Sequence, residues 1–521
     1  MNHKYLNITS ALIWVLFIII MYFIIKYNWS RRWLYYYGSK IDGPFGWPVI
    51  GSAHYFIGGQ KVFFKTLTKL LEPYPSVAKF WFGNNLIVSV SQPEDVEIIL
   101  NNCLKKPIIY NFALSFLGNG LLTSPVDIWK SRRKMINPTF NSKNLNSFME
   151  IFGKHATHLA NRLDENCGKE SFDVLSKLFS CTFDIACETL ADDNNTILHD
   201  KETFLRKLLR IEDLLMIRIC SIWFYIDFLW NRSSLCREMN KTCKEVYAIA
   251  KQQFQVVKFK KSSLNQNPDD GMDNFYDVVF LFLLVLDNIH KEKRFINHLL
   301  KLSKTNTEID ETALEDELQT ILITASETTA LTVGITLITL GIYPEIQEKI
   351  DQELDMIFGN DDREPTLEDV NKMEYLERVI KETLRLLSPV PIIARATDRD
   401  IKLDSCTIPT GSFVLIPIYL ISSKSEFWEE PNKFDPDRFL LENSSNRHRC
   451  AFIPFSLGPR NCVGFKFAMM SVKVLLSTIL RKYTIKPSEY KKLEDVKIIV
   501  GIVAKPVSGY KIKLEKKIIE K

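Results

Sequence analysis

Phe455-Ser456-Leu457-Gly458-Pro459-Arg460-Asn461-Cys462-Val463-Gly464 decides how the rest of the chain is read. Cys462 stands near the end of a loop interrupted by Gly and Pro, and an apolar helical pattern runs from Phe465 to about Leu480. A thiolate at a helix N-terminus is stabilised by the dipole and by unpaired backbone N–H groups, which favours the metal-binding form of sulfur. Gly458 permits a tight turn, and Gly464 lets the backbone approach a flat group with no side chain in the way. Arg460 offers a fixed fork of donors for a carboxylate. A thiolate, a close-approaching backbone and a carboxylate partner together describe a haem ligand loop. The alternative at this point is a buried structural cysteine in a turn.

The spacing Phe-x-x-Gly-x-Arg-x-Cys-x-Gly is met at every fixed position, and it resembles the haem-binding signature of the cytochrome P450 family. The resemblance implies haem b with its iron axially ligated by the Cys462 thiolate, and Phe455, Arg460 and Gly464 against the cofactor. It also implies the cytochrome P450 fold.

Composition agrees with a large globule. The 521 residues are 46% hydrophobic and 12% aromatic, with a net charge of +5. Length alone would allow three or more domains, but no repeat, Gly/Ser linker or long low-complexity stretch divides the chain. No basic tract is interleaved with aromatics, so nucleic acid is not an expected partner. Ten cysteines are scattered without a C-x-x-C pair, which points to a reduced compartment. His155 and His158 lie three apart, but surface or packing roles explain them without a metal.

The amino terminus reads as a membrane anchor. Every residue from Ala11 to Ile25 is apolar, and Tyr5, Leu6, Ile8 and Tyr27 extend that segment. Lys26, Arg31, Arg32 and Lys40 follow it, against Lys4 in front, which places the N-terminus outside and the bulk of the chain in the cytosol. No small-residue cleavage site precedes those charges, so an uncleaved anchor is expected rather than a signal peptide. Asn7-Ile8-Thr9 is a glycosylation sequon close to the membrane. Gly43-Pro44-Phe45-Gly46-Trp47-Pro48-Val49-Ile50-Gly51 disfavours helix and sheet and forms an elbow; it resembles the proline-rich hinge of microsomal members of the family.

Further along, Val77 to Val90 alternates around Gly83-Asn84-Asn85 and predicts a hairpin. From about residue 93 the pattern is mainly helical, with polar breaks near 261–274, 303–310 and 359–366. β-rich regions cover about 391–418 and 495–514. Trp129 and Arg133 are four apart and share a helix face; alone this is a solvated basic face. The resemblance makes it the helix whose Trp and Arg reach a haem propionate, with Lys130 and Arg132 facing outward where an acidic electron donor docks.

Asp310 to about Ile342 predicts one helix long enough to cross most of the globule. Thr324-Ala325-Ser326-Glu327-Thr328-Thr329 sets polar groups in its middle, where burial is costly unless they are paired. One reading is Thr bonding back to the i−4 carbonyl. By resemblance, Glu327 and Thr328 are the acid and alcohol that manage protons beside dioxygen. Ala325 replaces the family's usual Gly, and Thr324 occupies the place of the carboxylate that esterifies haem in fatty-acid ω-hydroxylases, so no covalent link is expected. Glu382-Thr383-Leu384-Arg385, with Arg438 in Phe434-Asp435-Pro436-Asp437-Arg438-Phe439, resembles the family's salt-bridge triad. Arg395, after Pro389-Val390-Pro391, resembles a second propionate clamp.

These motifs span about residues 43–470, and the sequence around them resembles the animal clan of fatty-acid ω-hydroxylases and their insect relatives. The expectation is a mainly α protein with small β-sheets: a membrane anchor (1–30), a basic, proline-rich hinge (31–52) and a haem-thiolate monooxygenase domain (53–521). It is expected to be single-pass in the endoplasmic reticulum membrane. It would insert one oxygen atom of O2 into an apolar substrate such as a fatty acid, hydrocarbon, terpenoid hormone or xenobiotic. Electrons would come from NADPH through NADPH–cytochrome reductase, with cytochrome b5 as a helper. A reductase-independent isomerase or dehydratase, and a non-catalytic hydrophobe binder, are the alternatives.

Overall fold

The computed structural model describes residues 2–190, 200–264 and 310–517. Helix α1 (Asn2–Ser30) carries the apolar leader. Its Ser10–Ser30 part has a mean hydropathy of 2.2, and none of its most apolar window is buried against the protein, so it is a candidate membrane span. Helix α2 (Arg32–Ser39) follows at once and buries Leu34 and Gly38. Arg31, between them, donates to the carbonyl of Asn84 and ties the base of the leader to the globule. Residues 43–46 form no helix or strand, and a single bridge pairs Trp47 with Gly51, as the Pro/Gly content requires.

Strands β1 (Val77–Phe82) and β2 (Asn85–Val90) form the expected hairpin, with Val77 opposite Val90 and Phe82 opposite Asn85. Ala78, Phe80 and Phe82 alternate into the core, the two-residue period of a half-buried strand. β3 is Phe172–Asp173, and the 391–418 region resolves into β4 (Ile392–Ala396), β5 (Ile401–Lys402), β6 (Thr407–Ile408) and β7 (Phe413–Pro417). The C-terminal strands are β8 (Tyr483–Lys486), β9 (Ile498–Val500), β10 (Ala504–Pro506) and β11 (Lys511–Lys516). Sheet order β1-β2-β7-β4 brings the 391–418 region beside the hairpin.

The helices that position the site are α3 (Val126–Ile136), α4 (Leu175–Leu190), α5 (Lys201–Cys220), α6 (Ser234–Leu264), α7 (Glu311–Ile342), α8 (Glu374–Leu386) and α9 (Phe465–Lys482). α7 begins where Asp310 accepts the N–H of Ala313 (2.7 Å) and ends before Pro344. It is buried on nearly every side, with 83% of its most hydrophobic window covered, so this second long apolar helix is the core of the fold rather than a span. α4 packs along it, with Thr182 donating to the Ser326 carbonyl at 2.8 Å. α9 crosses beneath, burying Val474, Leu475, Leu476, Ile479 and Leu480. Of the expected polar breaks, 359–366 is the loop before a short helix at Leu367–Lys372; the other two fall largely in 265–309, outside the described residues.

Candidate haem site

The 455–464 loop is tied to itself before α9 starts. The Cys462 N–H donates to the Phe455 carbonyl (2.9 Å), and the Asn461 N–H donates to the Gly458 carbonyl (3.1 Å). Gly458 has φ +76°, which a side chain would strain. Phe455 packs edge-on against Phe465, ring centres 4.8 Å apart. At Gly464 a side chain would meet only the Cys462 sulfur, at 4.0 Å; its face is otherwise open. The protein encloses Cys462, yet its side chain is accessible. Enclosure pushes the thiol up; the Gly464 N–H and the Arg133 charge pull it down without winning. A bound metal deprotonates a coordinating thiol outright.

Three cations converge beside this loop, and no carboxylate among the described residues pairs with them. Arg460 is buried, stacks on Trp129 (4.7 Å) and donates from Nη2 to the Ser124 carbonyl (2.8 Å), leaving Nε and Nη1 unpaired. Arg395 is 1% exposed; it donates to the Ala394 carbonyl and the Ser456 hydroxyl, and its Nε is unpaired. Lys106 lies over the Tyr110 ring at 4.3 Å. Burial, then Arg395 and Arg460, lower its pKa well below the ordinary value, while burial and Arg395 bring Arg460 to about 10. Buried cations with unpaired donors are costly unless an anion joins them. A group with two carboxylates and a flat ring fits this donor set, the accessible sulfur and the open face of Gly464.

Trp129 and Arg133 of α3 both come to the loop, so this turn is more than a solvated basic face. Arg133 grips it directly, donating to the Asn461 carbonyl and side-chain oxygen, both at 2.7 Å. Arg132 departs from expectation. It does not face outward but pairs with Glu317 Oε1 at 2.9 Å and also donates to the Asn119 carbonyl. Lys130 and Lys134 are the exposed cations of this turn. The signal was present in sequence: Arg132 lies three residues after buried Trp129 and so shares its face.

Glu382 and Arg385 on α8 form a fully buried bidentate pair, 2.7 and 2.8 Å. Arg385 also donates to the carbonyls of Ser422, Pro431 and Lys433. Arg438 reaches Glu382 at 3.4 Å, completing the triad. One guanidinium thus gathers the segment that leads into the cysteine loop.

On α7, Thr328 Oγ1 donates to the Thr324 carbonyl (2.7 Å), one rung of a ladder in which Thr324, Thr332 and Thr336 do likewise. Glu327 is buried; its Oε1 has no hydrogen bond and lies 3.9 Å from Lys505 Nζ. Lys505, from β10, also contacts buried Glu212 of α5. Burial, then the Glu212 charge, raise the Glu327 pKa well above the carboxylate range, against the pull of Lys505. Sequence reasoning missed Lys106, Lys505 and Glu212. Lys505 and Glu212 meet across 293 residues of chain, and the charges that bear on Lys106 are the distant Arg395 and Arg460.

Glu97, His448 and Cys450 gather separately, with ligand-type atoms within 4.8 Å of one another. They satisfy each other: the Cys450 N–H donates to His448 Nδ1 (3.1 Å), and His448 Nε2 faces Glu97 (3.2 Å), which also holds Arg449. Burial and Glu97 push the Cys450 thiol up to about 12, so this trio lacks the open sulfur of the Cys462 loop.

The family model for cytochrome P450 matches residues 41–514, from the elbow through the cysteine loop to the last strand. The chain belongs to the cytochrome P450 family. Among similar proteins are cytochrome P450 4c3 of Drosophila melanogaster, 31% identical over 504 residues (95% of this chain, 92% of the relative), and cytochrome P450 4V2 of Homo sapiens, 32% identical over 482 residues (90% and 88%). Cytochrome P450 4c21 of Blattella germanica is 31% identical over 490 residues (92% and 93%). Insect and mammalian relatives with family-4 names bear out the clan resemblance. The protein is a cytochrome P450 monooxygenase, a haem enzyme of the P450 fold that uses O2, an apolar substrate and a redox partner.

Proposed function

We propose that this P450 is anchored by residues 1–30, hinged by 31–52 and catalytic through 53–521, and that it inserts one oxygen atom of O2 into an apolar substrate: a fatty acid, hydrocarbon, terpenoid hormone or xenobiotic. Its electrons come from NADPH through NADPH–cytochrome reductase, with cytochrome b5 as a second donor, and it sits in the endoplasmic reticulum membrane facing the cytosol. The observation that carries the reading is the accessible Cys462 sulfur beside the open face of Gly464 and the uncompensated Lys106, Arg395 and Arg460.

In this reading Cys462 would ligate the haem iron, with Phe455 and Gly464 against the cofactor. Arg395, Arg460 and Lys106 neutralise the propionates, Trp129 orients Arg460 by stacking, and Arg133 fixes the loop through Asn461. Thiolate-ligated haem, when bound, supplies activation of dioxygen. Thr328, whose hydroxyl donates to the Thr324 carbonyl, would be the alcohol that relays a proton. Glu327, whose carboxyl burial and Glu212 raise well above the usual range against the pull of Lys505, would be the acid that holds a proton for transfer. The basic α3 surface available to an acidic donor is narrower than expected, because Arg132 is engaged.

The test is reconstitution with NADPH–cytochrome reductase in vesicles against a panel of lipids and xenobiotics. Binding difference spectra select candidate substrates, and product is then measured with and without NADPH. Hydroxylated product that requires NADPH supports the reading. Turnover of a peroxide without NADPH would replace it with the isomerase alternative.

A further inference from the structure

The first turns of α7 hold a strap of chain that ends on Arg460. Asp316 accepts the Asn119 N–H (2.8 Å), Glu317 Oε2 accepts the Leu121 N–H (3.0 Å), and Gln319 and Thr320 donate to the Phe116 and Leu117 carbonyls. Gly118, at φ +55°, lies so close to Asp316 that a side chain would overlap its carboxylate. The strap then closes on itself: Thr123 Oγ1 donates to the Gly118 carbonyl (2.7 Å), and the N–H groups of Thr123 and Ser124 donate to the Gly120 carbonyl. Its far end presents the Ser124 carbonyl to Arg460 Nη2. From there the chain enters α3, which returns Arg132 to Glu317 and to Asn119 while stacking Trp129 on Arg460.

Glu317 is joined both to the strap, through the Leu121 N–H, and to α3, through Arg132. It is 3% exposed. A carboxylate buried so deeply is costly, and apolar packing could join two helices without it. What an apolar residue could not do is fix the strap's backbone N–H and the α3 guanidinium together. We propose that Glu317 is a positioning residue for the cofactor, holding Arg460 in the orientation that meets a propionate by way of Arg132 and the 118–124 strap. This rests on the haem reading of the Cys462 loop. Burial pushes the Glu317 carboxyl up to about 7, against Arg132 and the Leu121 N–H. Arg132 from α3 and Asp316 beside it are the charges that face it, and Tyr247 of α6 bonds Asp316 from the other side. Protonation below that pH removes one charge of the pair, so the hold on Arg460 loosens as pH falls through about 7.

The test measures transfer of haem from full-length holoenzyme to an apo-haem scavenger, across neutral pH. Glu317→Gln is expected to keep the thiolate-ligated ferrous–CO band, release haem about tenfold faster, as loss of an outer partner of a metal site does, and abolish the acceleration that the wild type shows on acidification. In an Arg460→Gln background, Glu317→Gln should have no further effect. An unchanged rate and pH profile, or an equal effect in the Arg460→Gln background, would overturn the proposal. Should Glu317→Gln not accumulate, Arg132→Lys gives the same readout: faster release supports the proposal and an unchanged rate overturns it. Absence of the ferrous–CO band in the wild type would instead defeat the haem reading itself.

Discussion

Glu327 and Thr328 are adjacent in sequence but serve different surroundings. Glu327 is buried against Glu212 and Lys505, and Thr328 bonds its own helix. Because burial and Glu212 raise Glu327 while Lys505 opposes them, Lys505→Met removes the only downward influence among these causes and raises it further. The alkaline fall in coupled turnover should move to higher pH in Lys505→Met and to lower pH in Glu212→Gln; coupling measured against pH checks both signs. Thr328→Ala should leave haem content unchanged while product per NADPH falls, and unchanged coupling would remove Thr328 from proton delivery. The cysteine-loop spacing singled out Cys462 and Arg460, and the family resemblance built on it pointed to Trp129, Arg133, Arg395 and the Glu382/Arg385/Arg438 triad, which the structure joins directly. Lys505 has no such mark: its contact with Glu212 crosses 293 residues of chain.

At the scale of elements, periodicity located α7, α9, the β1–β2 hairpin and the β regions, because each repeats its pattern over several turns or pleats. It did not give the sheet order, in which β7 lies parallel to β2 across more than three hundred residues. Such pairings are set by packing and not by local preference. The α8 pair shows what an element contributes to the site. Arg385 joins Glu382 and three carbonyls at once with no exposed surface. Arg385→Ala leaves a buried carboxylate and several acceptors unpaired, a loss of about 3–5 kcal/mol, and haem incorporation should fail. Expression of that variant with normal haem content would contradict its structural role.

At the scale of the molecule, the leader does not stand apart from the globule. Arg31 binds Asn84 at the hairpin tip, and Ile222 packs where Gly83 leaves room. Around this point Val49, Trp223, Ile226 and Phe228 are more than half exposed. Large apolar side chains grouped at the base of a membrane span belong at the lipid interface. A protein lacking residues 2–30 should therefore still sediment in part with lipid vesicles, and replacing Trp223 and Phe228 by Ser should release it; equal binding by both forms would show that this face does not touch lipid.

The central claim is that the Cys462 sulfur ligates a haem iron between the Gly464 backbone and the Lys106/Arg395/Arg460 cluster. The ferrous–CO difference spectrum of the membrane-bound protein and its Cys462→Ala variant tests it most directly. The wild type should show the thiolate-ligated band and the variant should lose it, whereas the same band in both would contradict the assignment.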